Sequence, residues 1–315
     1  MLIPVTIVFV ALLAWWVITN PAGGARYQKP SSSASAETLR EIVETLAGMP
    51  RESTNINGQA RVADYLQKLW EKSGAKVERQ PFAAAIGRVE NLITSLGPRD
   101  GARMVIGAHY DTCDTQPGAD DNASGVAGVS ELVRLLKKNE SKLKQRVDLV
   151  AYTLEEPPFF DTNDMGSLFH AKSLSKEKVV VDLMISLEMI GYFSDEKDSQ
   201  SFPNPALGLL YPNQGNFIAV VGKLGDRTLV RKVKRAMTGG STVPVYSINA
   251  PPTIEGIDFS DHRSYWREGF PAVMITDTSF FRNNNYHTVQ DTPEKLNYQK
   301  MAEVVNGVLN LVLSW

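Results

Sequence analysis

Residues 105–125 read VIGAHYDTCDTQPGADDNASG, and the reading of this stretch decides the fold. An apolar run at 104–108 stops at His109, and Asp111 follows two residues later. A polar loop then leads to Asp120 and Asp121. Small residues open a segment in which Val126, Val129, Leu132, Val133 and Leu136 recur at helical spacing. A strand therefore hands over to a helix, with the imidazole and the carboxylates at the handover. In open α/β sheets ligands bind outside the carboxyl ends of the strands, so a site is expected at this point.

The flanking sequence extends the pattern. Residues 147–154 (VDLVAYTL) and 179–187 (VVVDLMISL) are nearly continuous apolar runs, as in strands buried on both faces. They end in Glu155-Glu156 and in Glu188. Shorter runs at 76–79, 89–96, 217–221, 243–248 and 272–276 read as further strands. Helical spacing marks Leu39, Ile42, Val43 and Leu46, then Ala60, Ala63, Leu66 and Trp70, then 227–237, 261–267 and a closing helix from Tyr298. The alternation predicts an α/β fold of three layers, α/β/α, around a mostly parallel, mixed sheet. No break divides 37–315, so one domain is expected.

Composition sets the outer limits. The 315 residues are 43% hydrophobic and 22% charged, an ordinary globular balance. A net charge of −2 gives no global field favouring nucleic acid. Cys113 is the only cysteine, which excludes an intrachain disulfide framework.

The N-terminus stands apart. Residues 2–19 form an uncharged apolar run of about 18 residues, near the minimum for spanning a bilayer. Trp15 and Trp16 lie near its far end, where amphipathic rings suit an interface. Residues 1–20 are read as a transmembrane anchor. A cleaved signal segment, using the small residues Gly23, Gly24 and Ala25, and a buried helix both stay open. Residues 21–36, with Pro21, Pro30 and several serines, form a linker. The body is expected outside the cytoplasm, anchored by this helix or secreted if the segment is cleaved. Arg26 and Lys29 pull the other way by the positive-inside rule.

Three strand ends and the loop after the first supply His109, Asp121, Glu155-Glu156 and Glu188, and His287 lies in the loop NNNYHTVQDT. Two imidazoles with several carboxylates suit a divalent metal held by nitrogen and oxygen, zinc above all. With Cys113 the sole thiol, a Cys-rich structural zinc site is excluded. Adjacent residues at a strand end point to opposite sides, so one glutamate can bind metal while the other faces water. A metal brings the pKa of its water to about 7, and a free carboxylate can take the proton.

HYD, PGADDNASG, the Glu-Glu pair, SLEM and YHTVQDT occur in the order seen in M28 zinc peptidases, the clan of bacterial aminopeptidases, which the chain resembles over residues 37–315. The resemblance implies a zinc-dependent exopeptidase acting on peptides, with two zincs per chain. By position, His109 and His287 would each be a terminal ligand to one zinc, and Asp121 would bridge both. Glu155 would be the general base, Glu156 a ligand to one zinc and Glu188 a ligand to the other. Asp111 would hydrogen-bond the far nitrogen of His109, and Asp291 would support His287 in a similar way. Two departures from the family pattern stand out. Glu188 occupies a position where aminopeptidases carry aspartate, and EEPPFFDTNDMGS inserts a loop whose Phe159 and Phe160 would border the substrate pocket.

Taken singly, His109 and His287 read as satisfied polar residues; the agreement of five separate stretches in order overturns that. His170 and His262 match no ligand position and read as structural, Cys113 as a small loop residue, and Asp120 as a loop or cap residue. Two alternatives stay open. One is a glutaminyl cyclase with a single zinc, against which stands Tyr286, where cyclases carry tryptophan. The other is a non-catalytic ectodomain that keeps the fold alone.

Overall fold

The computed structural model describes residues 12–21, 27–28 and 32–315. Its elements are α1 (Ala36–Ala47), α2 (Ile56–Lys72), β1 (Val77–Ala84), β2 (Gly87–Leu96), β3 (Arg103–His109), α3 (Gly125–Lys138), β4 (Arg146–Tyr152), α4 (Gly166–Lys176), β5 (Val181–Glu188), β6 (Ile218–Lys223), α5 (Arg227–Gly240), β7 (Val245–Ala250), α6 (His262–Arg267), β8 (Ala272–Thr276) and α7 (Tyr298–Ser314).

Side-chain alternation along the central strands assigns the two faces of one sheet. Met104, Ile106 and Ala108 of β3 and Val147, Leu149 and Ala151 of β4 point to one core. That core also takes the apolar faces of α1, α2, α3, α5 and α7. Val105, Val150, Tyr152 and Met184 point the other way, against Ala171 and Leu174 of α4 and Tyr265 of α6. Three layers result. The sheet has eight strands in the order β1-β2-β4-β3-β5-β8-β6-β7. Its centre, β4-β3-β5-β8, is parallel. β2 runs antiparallel to β4, β6 antiparallel to β8, and β6 and β7 are parallel to each other. The mixed, mostly parallel α/β/α architecture is thus the one expected.

Strand β3 is flanked by β4 on one side and β5 on the other, so the strand order reverses at β3. His109 is its last residue. This is the topological switch point, where a crevice opens at the carboxyl edge of an α/β sheet.

The helices start where side chains replace missing backbone partners. Ser35 accepts from Thr38 N (3.1 Å) at the head of α1, Asn55 from Gly58 N (2.9 Å) at α2, and Asn297 from Lys300 N (3.0 Å) at α7. Each such cap contributes about 1 kcal/mol.

Three local expectations are corrected. β1 runs on to Ala84 past Pro81, because it is an edge strand, where a residue without an N–H is tolerated. Ala60 is exposed, and the buried face of α2 runs through Gln59, Val62, Ala63, Leu66 and Trp70. Gln59 is buried because its amide donates to the carbonyls of Glu52 (3.1 Å) and Ser53 (2.7 Å). Helix α4 was not anticipated, since its buried face carries Ser167 and His170 beside Leu168, Ala171 and Leu174 and so lacks an apolar stripe.

Of the proposed anchor, residues 1–11 lie outside the described residues, as do 22–26 and 29–31 of the linker. Residues 12–19 are helical. Among the described residues no helix is long and apolar enough to cross a membrane.

Candidate metal centre

The loop after β3 is held by a residue that precedes it by about sixty positions. Arg51 is 1% exposed. Its guanidinium donates to five carbonyls, those of Leu46 (3.2 Å), Tyr110 (3.0 Å), Asp111 (3.3 Å), Pro117 (2.8 Å) and Gly118 (2.6 Å). Burial pulls the guanidinium down to about 10, while Asp121, Asp291, Asp111 and Glu156 support its charge. Gly118 makes the close approach possible. Its φ is +57°, and a Cβ there would lie 2.3 Å from Asp121 O and 2.8 Å from the Arg51 guanidinium.

Asp121 follows in an irregular helical turn, Ala119–Ser124. Its backbone N–H donates to Asp291 Oδ2 (3.0 Å), and Asp120 N donates to both Asp291 oxygens (3.0 and 3.2 Å). Asp120 in turn accepts from Gly191 N and Asn283 Nδ2, each at 3.0 Å. Asn122 ties the same turn to the end of β5, donating to Leu187 O (2.9 Å) and accepting from Met189 N (3.1 Å).

The six expected groups come together. Asp121 is 2% exposed, and its two oxygens face different imidazoles. Oδ1 lies 3.4 Å from His109 Nε2, and Oδ2 lies 3.1 Å from His287 Nε2. Each imidazole then has its own second carboxylate: Glu188 Oε2 is 3.4 Å from His109 Nε2, and Glu156 Oε2 is 3.2 Å from His287 Nε2. Two ligands about 2.0–2.1 Å from one tetrahedral ion are about 3.3–3.4 Å apart, so these spacings match groups arranged around a shared cation. Glu155 is set slightly back, its Oε2 3.8 Å from His109 Nε2. Ser260 Oγ orients Glu188 by donating to Oε2 (2.7 Å).

Several polar atoms here lack partners, which buried groups seldom do. Glu156 Oε1 makes no hydrogen bond, and His287 Nε2, though 3.1 and 3.2 Å from two carboxylate oxygens, is not aligned to form one. An oxygen and nitrogen donor set with orphaned buried atoms fits a divalent cation. The electrostatics of these groups point the same way. Burial lowers His287, but Asp121 and Glu156 outweigh it and raise it to about 10. Burial and the repulsion of Asp121 push Glu156 up to about 8. Burial works against ionised Asp121 too, yet contact with His109 and His287 holds it below the usual carboxylate range. Burial, then the nearby Glu188 and Glu156, raises Glu155 well above that range. The Cys113 thiol is pushed up to about 12 by burial and by the surrounding carboxylates.

The turns that deliver these residues are strained. Leu154, just before the glutamate pair, has φ 59°, Met189, just after Glu188, has φ 50°, and His287 itself has φ 55°. Left-handed backbone at residues with a Cβ costs of order 1–3 kcal/mol each and gathers at functional sites.

Two supporting roles differ from expectation. The Asp111 carboxylate is 3.7 Å from His109 Nδ1; that nitrogen instead faces the Asp111 backbone carbonyl at 3.2 Å. The carboxylate accepts from Glu155 N (3.1 Å) and Glu156 N (3.0 Å). Past the end of β4 the chain turns its N–H groups inward, and a buried carboxylate is the partner they find. Asp291 serves the Asp120–Asp121 backbone in the same way, and not His287. Tyr286 stacks on the His287 ring, with centroids 3.8 Å apart. His170 and His262 are buried with protein partners, Tyr265 OH (2.6 Å) and Ile257 O (2.9 Å).

Beside the centre lies a cavity of about 330 Å³. Asp121, both glutamates of the pair, Glu188 and His287 form its polar end, and Phe160, Tyr246, Ile248, Phe259 and Met274 its apolar walls. Phe159 turns away and packs with Phe82, Val89 and Leu154. Of the two phenylalanines, Phe160 alone borders the cavity. Arg51 was missed by sequence reading because its partners are backbone carbonyls, which leave no residue pattern.

The chain is 46% identical over 316 aligned positions to the uncharacterized protein YfbL of Escherichia coli (strain K12), covering 97% of this chain and 96% of that one. It is 24% identical to leucine aminopeptidase 1 of Pyrenophora teres f. teres, covering 81% of this chain and 63% of that longer protein. Among solved structures, the glutaminyl cyclase of Fimbriiglobus ruber superposes with a TM-score of 0.67 at 22% identity, over 94% of this chain and 99% of that one. The sequence model of peptidase family M28 matches residues 91–312. From Asn91 in β2 to Val312 in α7 the match takes in every group assembled around Asp121, and the chain belongs to peptidase family M28.

Proposed function

We propose that the protein is a zinc-dependent exopeptidase that removes N-terminal residues from peptides. The observation that carries this reading is the division of Asp121, whose oxygens serve two separate imidazole–carboxylate pairs while Glu155 is left over. His109, Asp121 and Glu188 would hold one zinc, and His287, Asp121 and Glu156 the other. When bound, zinc supplies a Lewis acid that acidifies water and stabilises the developing oxyanion. Glu155 acts as general base: it takes a proton from the attacking water and passes it to the departing amine nitrogen as the C–N bond breaks. Its burial, which keeps the carboxyl protonated to higher pH, suits it to the second half of that exchange. Asp111 fixes the backbone of both glutamates and so aims Glu155. The aromatic cavity favours a bulky apolar side chain at the substrate N-terminus. Turnover of aminoacyl-anilide and dipeptide panels with and without chelator, with metal content measured on the same sample, tests this. Chelator-insensitive turnover, or none on any peptide, refutes it.

A cyclase reading draws support from the fold likeness to the Fimbriiglobus ruber enzyme. It predicts near one zinc per chain and ammonia release from glutaminyl peptides. The complete His109–Asp121–Glu188 set favours two metals and hydrolysis.

We also propose that residues 1–20 anchor the chain in a membrane with the body outside the cytoplasm, on the strength of the apolar run at 2–19. Where the helix at 12–19 ends, Lys234 Nζ donates to Thr19 O (3.0 Å) and Arg227 to the carbonyls of Trp16 and Val17 (3.3 Å each). Membrane fractionation with protease protection of intact cells decides it.

A further inference from the structure

Cys113 lies on the site loop, two residues after Asp111, and is the chain's only thiol. Its Sγ, a carboxylate oxygen of Glu156 and a ring nitrogen of His287 all lie within 4.8 Å of one another. A second observation concerns the same residues. Glu156 is 2% exposed, and its Oε1, like His287 Nε2, has no hydrogen-bond partner. Asp121 Oδ2, 3.1 Å from His287 Nε2, completes the surroundings. Around a tetrahedral ion with sulfur at about 2.3 Å and nitrogen or oxygen at about 2.0–2.1 Å, ligand atoms sit about 3.3–3.6 Å apart. The 4.8 Å within which the three atoms lie exceeds that spacing by only about 1 Å. The two halves of the centre are then unequal. The His109 half has three protein ligands, with Glu155 beside it. The His287 half has a fourth candidate.

We propose that Cys113 Sγ is the fourth protein ligand of the metal held by Asp121, Glu156 and His287, making that half a closed, sulfur-containing site and leaving the His109 half as the open one. This rests on the reading of the cluster as a two-metal centre. Closed sites with four protein ligands hold metal for structure, while sites that work on substrate keep a position free. The metal–sulfur bond forms as the S–H bond breaks; the proton leaves to solvent past the half-exposed thiol, and no electron is transferred. The sulfur ligand biases this half toward zinc, cobalt and cadmium over magnesium and manganese.

Cobalt(II) titration of chelator-treated full-length protein tests the assignment, because its signals separate metal binding from sulfur ligation. The wild type should show visible d–d bands and, with them, an intense near-ultraviolet thiolate-to-cobalt band. Cys113→Ser should keep d–d absorption, lose the near-ultraviolet band, and bind one cobalt equivalent more weakly by at least the roughly 10–100-fold that losing an outer partner costs. A measurement on the wild type alone removes dependence on the variant's folding: zinc loading should slow alkylation of the thiol by iodoacetamide. Visible bands without the near-ultraviolet band, or equal alkylation rates with and without zinc, overturn the assignment of Cys113. Absence of any cobalt binding overturns the metal-centre reading on which it stands.

Discussion

Replacing Asp111 by asparagine should cost stability and activity together, through the glutamate pair. The Asp111 carboxylate is fully buried and accepts one N–H from Glu155 (3.1 Å) and one from Glu156 (3.0 Å). Hydrogen bonds to a charged partner contribute about 1.5–3 kcal/mol each, and a buried donor left unpaired costs about 1–3 kcal/mol. Asparagine offers one carbonyl oxygen and must turn its NH₂ toward the other N–H, so one bond is lost and the second becomes neutral. The net cost is about 2–4 kcal/mol. At about 2–4 °C per kcal/mol for larger domains, the Tm should fall by about 4–16 °C. Thermal unfolding is best followed in chelator, so that metal binding does not enter. With the Glu155 backbone released, kcat should drop by about 10–100-fold, the usual effect of losing such an outer partner. If Asp111 acted through the His109 imidazole, the chelated Tm would barely move and metal content would fall. An unchanged Tm in chelator together with an unchanged kcat would refute the argument.

Glu155→Gln should retain its metal and lose about 10²–10⁴-fold in kcat, the usual share of a general base; full activity in a metal-replete variant removes Glu155 from that role. Zinc at 1,000 times its Kd should stabilise the fold by about 4 kcal/mol, so chelation should lower the Tm by on the order of 10 °C, read by scanning calorimetry; no change would mean no tight zinc site. Glu156, raised to about 8, and His287, raised to about 10, both hold protons at neutral pH that a cation must displace. Zinc affinity should therefore rise as pH climbs through 8 toward 10, with protons released on binding; titration calorimetry in buffers of different ionisation enthalpy measures this, and zero release at pH 7 would contradict it. Met274→Ala enlarges the apolar cavity wall and should lower kcat/KM for leucyl substrates by about 10-fold, the scale of one or two methylenes, with alanyl substrates little affected; equal losses on both would argue against this wall as the side-chain pocket.

The parts of the site legible in the sequence were those whose physical signature is local. The run at 104–108 is apolar because β3 is buried on both faces, and its abrupt end in His109 marks the sheet edge. The same logic places Glu188 at the end of β5. What stayed hidden depends on backbone partners brought together only by folding. The side chain of Asp111 was expected on an imidazole because the family resemblance implies that pairing by position, whereas the N–H groups of Glu155 and Glu156 become available only once the chain bends at Leu154. Helix α4 escaped notice because polar contacts, such as Ser167 Oγ to Ser264 Oγ at 2.9 Å, fill its buried face. Phe159 and Phe160 are indistinguishable by type, and the turn direction alone sends one to the cavity and the other to the core.

The five carbonyls gathered by Arg51 bear on how small this enzyme could be made. The stretch shared across the family begins at residue 91, yet the brace that sets the curvature of the ligand-bearing loop stands forty positions upstream, between α1 and α2. A shortened gene starting at the shared boundary would encode all the metal-facing side chains and lack the clamp that brings them into register. Any minimal version has to begin ahead of Arg51, and the leading segment is better regarded as part of the apparatus that shapes the site than as packaging around it.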